Sequence, residues 1–373
     1  MRAPKIGILA VGICAAWLTA CGGGSSAALI SPPAPNPTQS GGSPSFVATP
    51  LTQMGVSATY QGFHGGLYEN GSNTVPPDHA SAGTSFAAAV KPRDANGNPT
   101  PSGKFVLLSI GMSNTTNAWC IGPPPHTTPL PPSGCFPYTF MGQIANDASI
   151  NHTTMVIKNG AAGGQTADVW TQATVCLPNY SPCNEYDRVR DAVLAPAGLS
   201  EKQVEVAWLS EADAQPAVSL PASDADAYQL ETYLAGDLRA MKTRYPNLLL
   251  VFVSSRSYGG YASTTLNPEP YAYESGFAAK WLIQAQIDQI RNGGAVVDAK
   301  AGDLNYNTGV APWIAWAPYT WADGSTPRAD GLFWLSSDYY TDGTHESQAG
   351  IQKLVGLLIP FFKQSQFTSP WFL

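Results

Sequence analysis

Four short segments carry residue types that can do chemistry together. Gly111-Met112-Ser113-Asn114-Thr115 offers a hydroxyl in a tight turn, and residues 159–166, NGAAGGQT, offer closely spaced backbone N–H groups. Ser210-Glu211-Ala212-Asp213-Ala214 offers carboxylates, and Asp342-Gly343-Thr344-His345 places an imidazole three residues from another. A serine hydroxyl is a weak nucleophile unless a neutral imidazole takes its proton as it attacks a carbonyl. A carboxylate on the far ring nitrogen fixes the tautomer and stabilises the imidazolium, and the tetrahedral oxygen needs preorganised donors. Ser113, His345 and Asp342 suit the first three parts. The backbone N–H groups of Ser113 and Gly164 suit the last, with Gly163 one residue away. Each segment also has a plainer reading, since a serine in a glycine-rich turn is a common turn residue and Asp342 or Thr344 can cap a helix.

What could bring four such segments together is a parallel sheet, whose ligands bind beyond the carboxyl ends of the strands. Residues 104–110, 153–158, 204–209 and 248–253 read as strands, the first and last apolar enough to be buried on both faces. Helical spacing of apolar residues runs through 223–244, 274–292 and 346–363. This alternation predicts an α/β fold, three layers α/β/α around a parallel sheet. Each of the four reactive segments then falls just after a strand or just before the last helix, on one edge.

In that order the blocks resemble the SGNH, or GDSL-type, hydrolase superfamily over most of residues 104–366, with the flavodoxin-like sheet that the resemblance implies. It implies Ser113 as nucleophile, although Met112 replaces the usual Asp before it. It implies Gly164 as the oxyanion glycine and Asp342 and His345 as the terminal block. Asp213 falls where the family places an oxyanion asparagine. The implied activity is hydrolysis of a carboxylic ester through a Ser113 acyl-enzyme, with no cofactor and no metal. Met112 and Asp213 favour the alternative of a catalytically degenerate surface protein that binds a glycan.

Residues 313–340 are rich in rings, among them Trp316 and Trp321, and Arg256 and Tyr258 follow the fourth strand. These four are candidate substrate contacts in a cleft for an acylated glycan, because aromatics give contact area with few rotors. The same rings could equally pack a loop onto the core. His64, His79, His126 and His152 lie outside the matched blocks, as structural or surface residues, and no metal-ligand cluster emerges.

Composition narrows the remaining classes. With 19 Lys and Arg against 26 Asp and Glu, the net charge of −7 excludes a basic nucleic-acid surface. Arg2 and Lys5 precede an apolar run to Ala20, the layout of a secretory signal over residues 1–20 and too short to span a bilayer comfortably. Leu18-Thr19-Ala20-Cys21 resembles the lipobox of bacterial lipoproteins, and Gly22 resembles the outer-membrane sorting pattern of Gram-negative bacteria. Residues 21–50 then read as a lipidated Cys21 and a Gly, Ser and Pro-rich tether, and 51–373 as one hydrolase domain whose first part, 51–103, is loop-rich and wraps the body. The expected protein is a monomer whose partners are its ester substrate and the membrane that holds its anchor. In an oxidising compartment the economical disulfides are Cys120 with Cys135 and Cys176 with Cys183, among three possible connectivities.

Overall fold

The computed structural model describes residues 46–122, 134–178 and 180–373. The expected signal, Cys21, most of the tether and His126 lie outside them.

Five strands form one parallel sheet: β1 (Phe105–Gly111), β2 (Met155–Asn159), β3 (Val204–Ser210), β4 (Leu250–Ser254) and β5 (Trp313–Trp316), in the order 2-1-3-4-5. Alternation along each strand feeds two cores. Val106, Leu108 and Ile110 of β1 join Ala207, Leu209, Val251 and Val253 on one face. Phe105 and Leu107 join Val206, Trp208, Leu250 and Phe252 on the other. Because both faces of the central strands are covered, they are largely apolar, with Ser109 and Glu205 as buried exceptions, and each large side chain so buried contributes about 1.5–3 kcal/mol.

The first core is closed by α3 (Asp226–Arg244) and α4 (Tyr271–Arg291), the second by α2 (Ser113–Trp119) and α5 (Gln348–Gln364). The layers are therefore α/β/α, and the four strands and three long helices anticipated from periodicity are present. Two elements differ from expectation. Within the stretch read as loop-rich lies a helix, α1 (Pro77–Ala89), buried through His79, Gly83 and Ala87. Two of these are small because the helix packs against β5: a Cβ on Gly83 would sit 2.3 Å from the Trp313 ring. The strand β5 itself lies in the ring-rich stretch read as a loop.

Residues 51–71 lean on α4, where Tyr60 donates to Glu274 Oε1 (2.8 Å) and Lys280 Nζ donates to the carbonyl of His64 (2.7 Å). Disulfides join Cys120 to Cys135 and Cys176 to Cys183. No helix among the described residues is long and apolar enough to cross a membrane.

Candidate active site

In a sheet ordered 2-1-3-4-5, the connections leaving β1 and β3 run to opposite sides, and the crevice beyond the carboxyl ends of these two strands is where such folds take ligands. Ser113 stands at that point, the first residue of α2 after β1. The turn into it needs a glycine for space, since a Cβ on Gly111 would lie 2.5 Å from the carbonyl oxygen of Ser210 on β3.

Ser113 Oγ lies 2.7 Å from His345 Nε2, and His345 Nδ1 lies 2.6 Å from Asp342 Oδ2. Asp342 Oδ1 also accepts the backbone N–H groups of Thr344 (2.9 Å) and His345 (3.0 Å). Burial alone would raise the Asp342 pKa, but the hydrogen bonds from the His345 ring and backbone outweigh it and hold the carboxyl below its ordinary value. Gly343 sits at φ +67° with its α-hydrogen against the carbonyl of Tyr261, 1.7 Å from where a Cβ would be. The loop after β4 supports this turn: Ser263 donates to the Asp342 carbonyl through its N–H (2.9 Å) and its hydroxyl (3.1 Å).

The loop after β2 reaches the serine from the other side. Gly160 and Ala162 donate to the carbonyls of Ser109 and Gly111 (3.0 Å each), which ties the loop to β1. A Cβ on Gly163 would stand 3.9 Å from Ser113 Cβ, whereas Gly164, at φ +77°, faces open space. Both glycines are exposed.

Sequence reading missed the layer beneath. Asn114 Nδ2 donates to the Thr344 carbonyl (2.9 Å) and to Glu346 Oε2, and Ser257 Oγ donates to Glu346 Oε1 (2.6 Å). The available signal was adjacency, since Asn114 and Glu346 directly follow Ser113 and His345 and are polar where each chain enters the protein.

Four expected site residues take other places. Trp316 and Trp321 are 5% and 0% exposed, with ring N–H groups donating to the Leu67 carbonyl and to Glu269 Oε1, so they belong to the core and floor no cleft. Arg256 is buried as well, in a small cavity with Asn114, Thr115 and Glu346, and its Nε has no protein partner. Asp213, expected at an oxyanion position, is 8% exposed. Its carboxyl lines a separate small cavity with Pro216, Asp226, Tyr271 and Glu274. Burial first, then the charges of Asp226 and Asp168, push its pKa to about 7, and Oδ1 has no hydrogen-bond partner.

Tyr258 is half-buried, edge-on to Tyr261 at 5.1 Å, in the loop that supports the Asp342 turn. Of the other histidines, His79 is buried on Trp313 with Nε2 at 2.8 Å from the Ile314 carbonyl, and burial lowers its pKa to about 4. His64 and His152 are at the surface. Among the described residues no group of three or more His, Cys, Asp or Glu could hold a metal ion.

No family model and no curated protein matches the chain. Solved structures do. A GDSL-like lipase from Parabacteroides merdae is 13% identical, with 72% of this chain and 96% of that one covered at a TM-score of 0.37. A family two carbohydrate esterase from Clostridium thermocellum, in complex with cellohexaose, is 15% identical over 71% and 65% at 0.36. A carbohydrate acetylesterase from Sinorhizobium meliloti is 14% identical over 69% and 96% at 0.34. On its own strand order and helix layers, this chain has a three-layer α/β/α fold around a parallel sheet in the flavodoxin-like 2-1-3-4-5 order.

Proposed function

We propose that the chain hydrolyses carboxylic esters through a Ser113 acyl-enzyme. The observation that carries this reading is the continuous line from Ser113 Oγ through both nitrogens of His345 to Asp342, at 2.7 and 2.6 Å. In the first half-reaction His345 Nε2 takes the hydroxyl proton as Oγ bonds to the ester carbonyl carbon. The tetrahedral intermediate then expels the alcohol, which leaves with that proton from His345. In the second half-reaction His345 deprotonates a water that attacks the acyl group, and collapse returns the proton to Ser113. Asp342 holds Nδ1–H and stabilises the imidazolium.

The oxyanion is received by the backbone N–H groups of Ser113 and of the Gly163-Gly164 turn. Such donors contribute a few kcal/mol each, about 3 in measured cases.

The substrate class in this reading is an acylated glycan. Exposed Tyr340 and half-buried Tyr258 and Tyr261 near the Asp342 turn support it, because such rings offer an apolar face and a hydroxyl together. The two disulfides and the leader suit export, with lipid on Cys21 at the outer membrane and residues 22–50 as tether to a monomeric domain from 51 to 373.

Fluorophosphonate labelling tests the reading. Wild type is expected to label, and Ser113→Ala and His345→Ala are expected to abolish it. A folded wild type that neither labels nor cleaves short aryl esters would overturn it in favour of a glycan-binding protein.

A further inference from the structure

We propose that Asn114 and Glu346 form a positioning clamp that sets the distance between Ser113 and His345. The inference rests on the acyl-enzyme reading above and adds residues that touch neither substrate nor the reacting atoms. Ser113 and His345 lie 232 residues apart in the chain, and their hydrogen bond is partly open to solvent, with the His345 side chain 24% exposed. A hydroxyl–imidazole bond in contact with water contributes little net stability, yet productive geometry has to be held within about 0.5 Å. Something buried has to register the two segments.

The next residue on each segment does so. Asn114 and Glu346 are 6% and 2% exposed, and Ser257, from the loop after β4, is 5% exposed. Asn114 spends both amide hydrogens across the gap, one on the Thr344 carbonyl and one on Glu346 Oε2, while Ser257 closes on Oε1. The α2 start, the peptide just before His345 and the β4 loop are thus tied at one point. A carboxyl suits position 346 because the two side chains bonded to it, Asn114 and Ser257, both donate and each of its oxygens accepts one. The Arg256 side chain lines the same cavity. A shift of the imidazole against the hydroxyl would have to break these buried bonds.

The test measures kcat and KM for p-nitrophenyl acetate, with thermal melting as a check on folding. Glu346→Ala is expected to lower kcat about 100-fold with KM within about 3-fold, since the loss is one of alignment. Glu346→Gln is expected to recover most of that, because its amide can donate to a Ser257 hydroxyl that reverses its role. Adding Ser257→Ala to Glu346→Gln removes that partner and is expected to forfeit the rescue. Asn114→Ala with Glu346→Ala is expected to be no worse than the poorer single variant, as for residues acting as one unit.

Should Glu346→Ala fail to fold, the Glu346→Gln and Ser257→Ala variants decide the matter. An unchanged kcat, a loss confined to KM, or single effects that multiply in the double variant would each overturn the clamp while leaving an active wild type. A wild type without labelling or turnover would overturn the clamp together with the reading it rests on.

Discussion

Ser113 and His345 approach within 2.7 Å although the three Asp342 bonds that orient His345 all come from its own turn. The tautomer is set locally and the nucleophile is delivered from far away. Asp342→Asn should therefore leave the turn largely folded while offering the ring the wrong partner. We expect kcat for an aryl ester to fall about 10³–10⁴-fold with little change in KM. A fall under tenfold would show that Asp342 only shapes the turn.

Gly343→Ala tests the backbone of that turn. A residue with a Cβ at φ +67° is strained, at about 1–3 kcal/mol, and here the added carbon would also collide with the Tyr261 carbonyl. Both melting temperature and kcat should drop. A variant that melts like wild type would mean that the Tyr261 loop gives way freely.

The pH dependence of stability follows from carboxyls whose pKa is raised in the folded state. Asp213 moves from 3.8 to about 7, through burial and the Asp226 and Asp168 charges. Glu231 moves from 4.5 to about 8, through burial and Asp298, against Lys300. Between the unfolded and folded values the native state binds the extra protons, so stability falls as pH rises. The loss begins near pH 4 and continues through about pH 7 to 8. Asp213→Asn should flatten this slope and raise stability at pH 8 by roughly 1–3 kcal/mol, with turnover unchanged. Melting curves from pH 5 to 8 check it, and an equal slope in the variant would count against the assignment.

The two disulfides close loops of 15 and 7 residues. Loop-closure entropy assigns about 3 kcal/mol to the first and a little over 2 to the second. Cys120→Ala with Cys135→Ala should thus lower the denaturation midpoint more than Cys176→Ala with Cys183→Ala. The reverse order would show that the second bridge supports packing around Asn184.

Trp321→Ala separates a core ring from a substrate contact. Its indole is fully buried and donates to Glu269, so the expected result is a stability loss of about 3–5 kcal/mol with no selective rise in KM for a glycan ester over an aryl ester. A selective rise in KM would return Trp321 to the cleft.

These residues also mark where the sequence was readable. β1 and β4 are built mainly of Val, Leu, Ile and Phe, β3 adds Ala and Trp around Glu205, and the rule that parallel sheets bind at strand ends made Ser113 and the Asp342 turn visible as candidates. β5 was not visible, because Trp313-Ile-Ala-Trp316 is four residues long and lies among other aromatics. Helix α1 hides its contact face in Gly83 and Ala87, which carry no hydrophobic signal. A tryptophan destined for the core reads like one meant for a cleft until its N–H finds a partner such as the Leu67 carbonyl, 249 residues away. Asp213 was placed by register with a family motif, and register says nothing of which cavity a side chain lines.

Because Asp342, His345 and their bonds occupy four consecutive residues, the proton-handling half of the constellation is self-contained. If the start of α2 were to swing away, the bonds of Asn114 to Thr344 and Glu346 would break with the loss of the hydroxyl, while the Asp342 bonds to the imidazole lie within its own turn and would remain. Water could then take that place, and a displaced serine would leave behind a general base in working order.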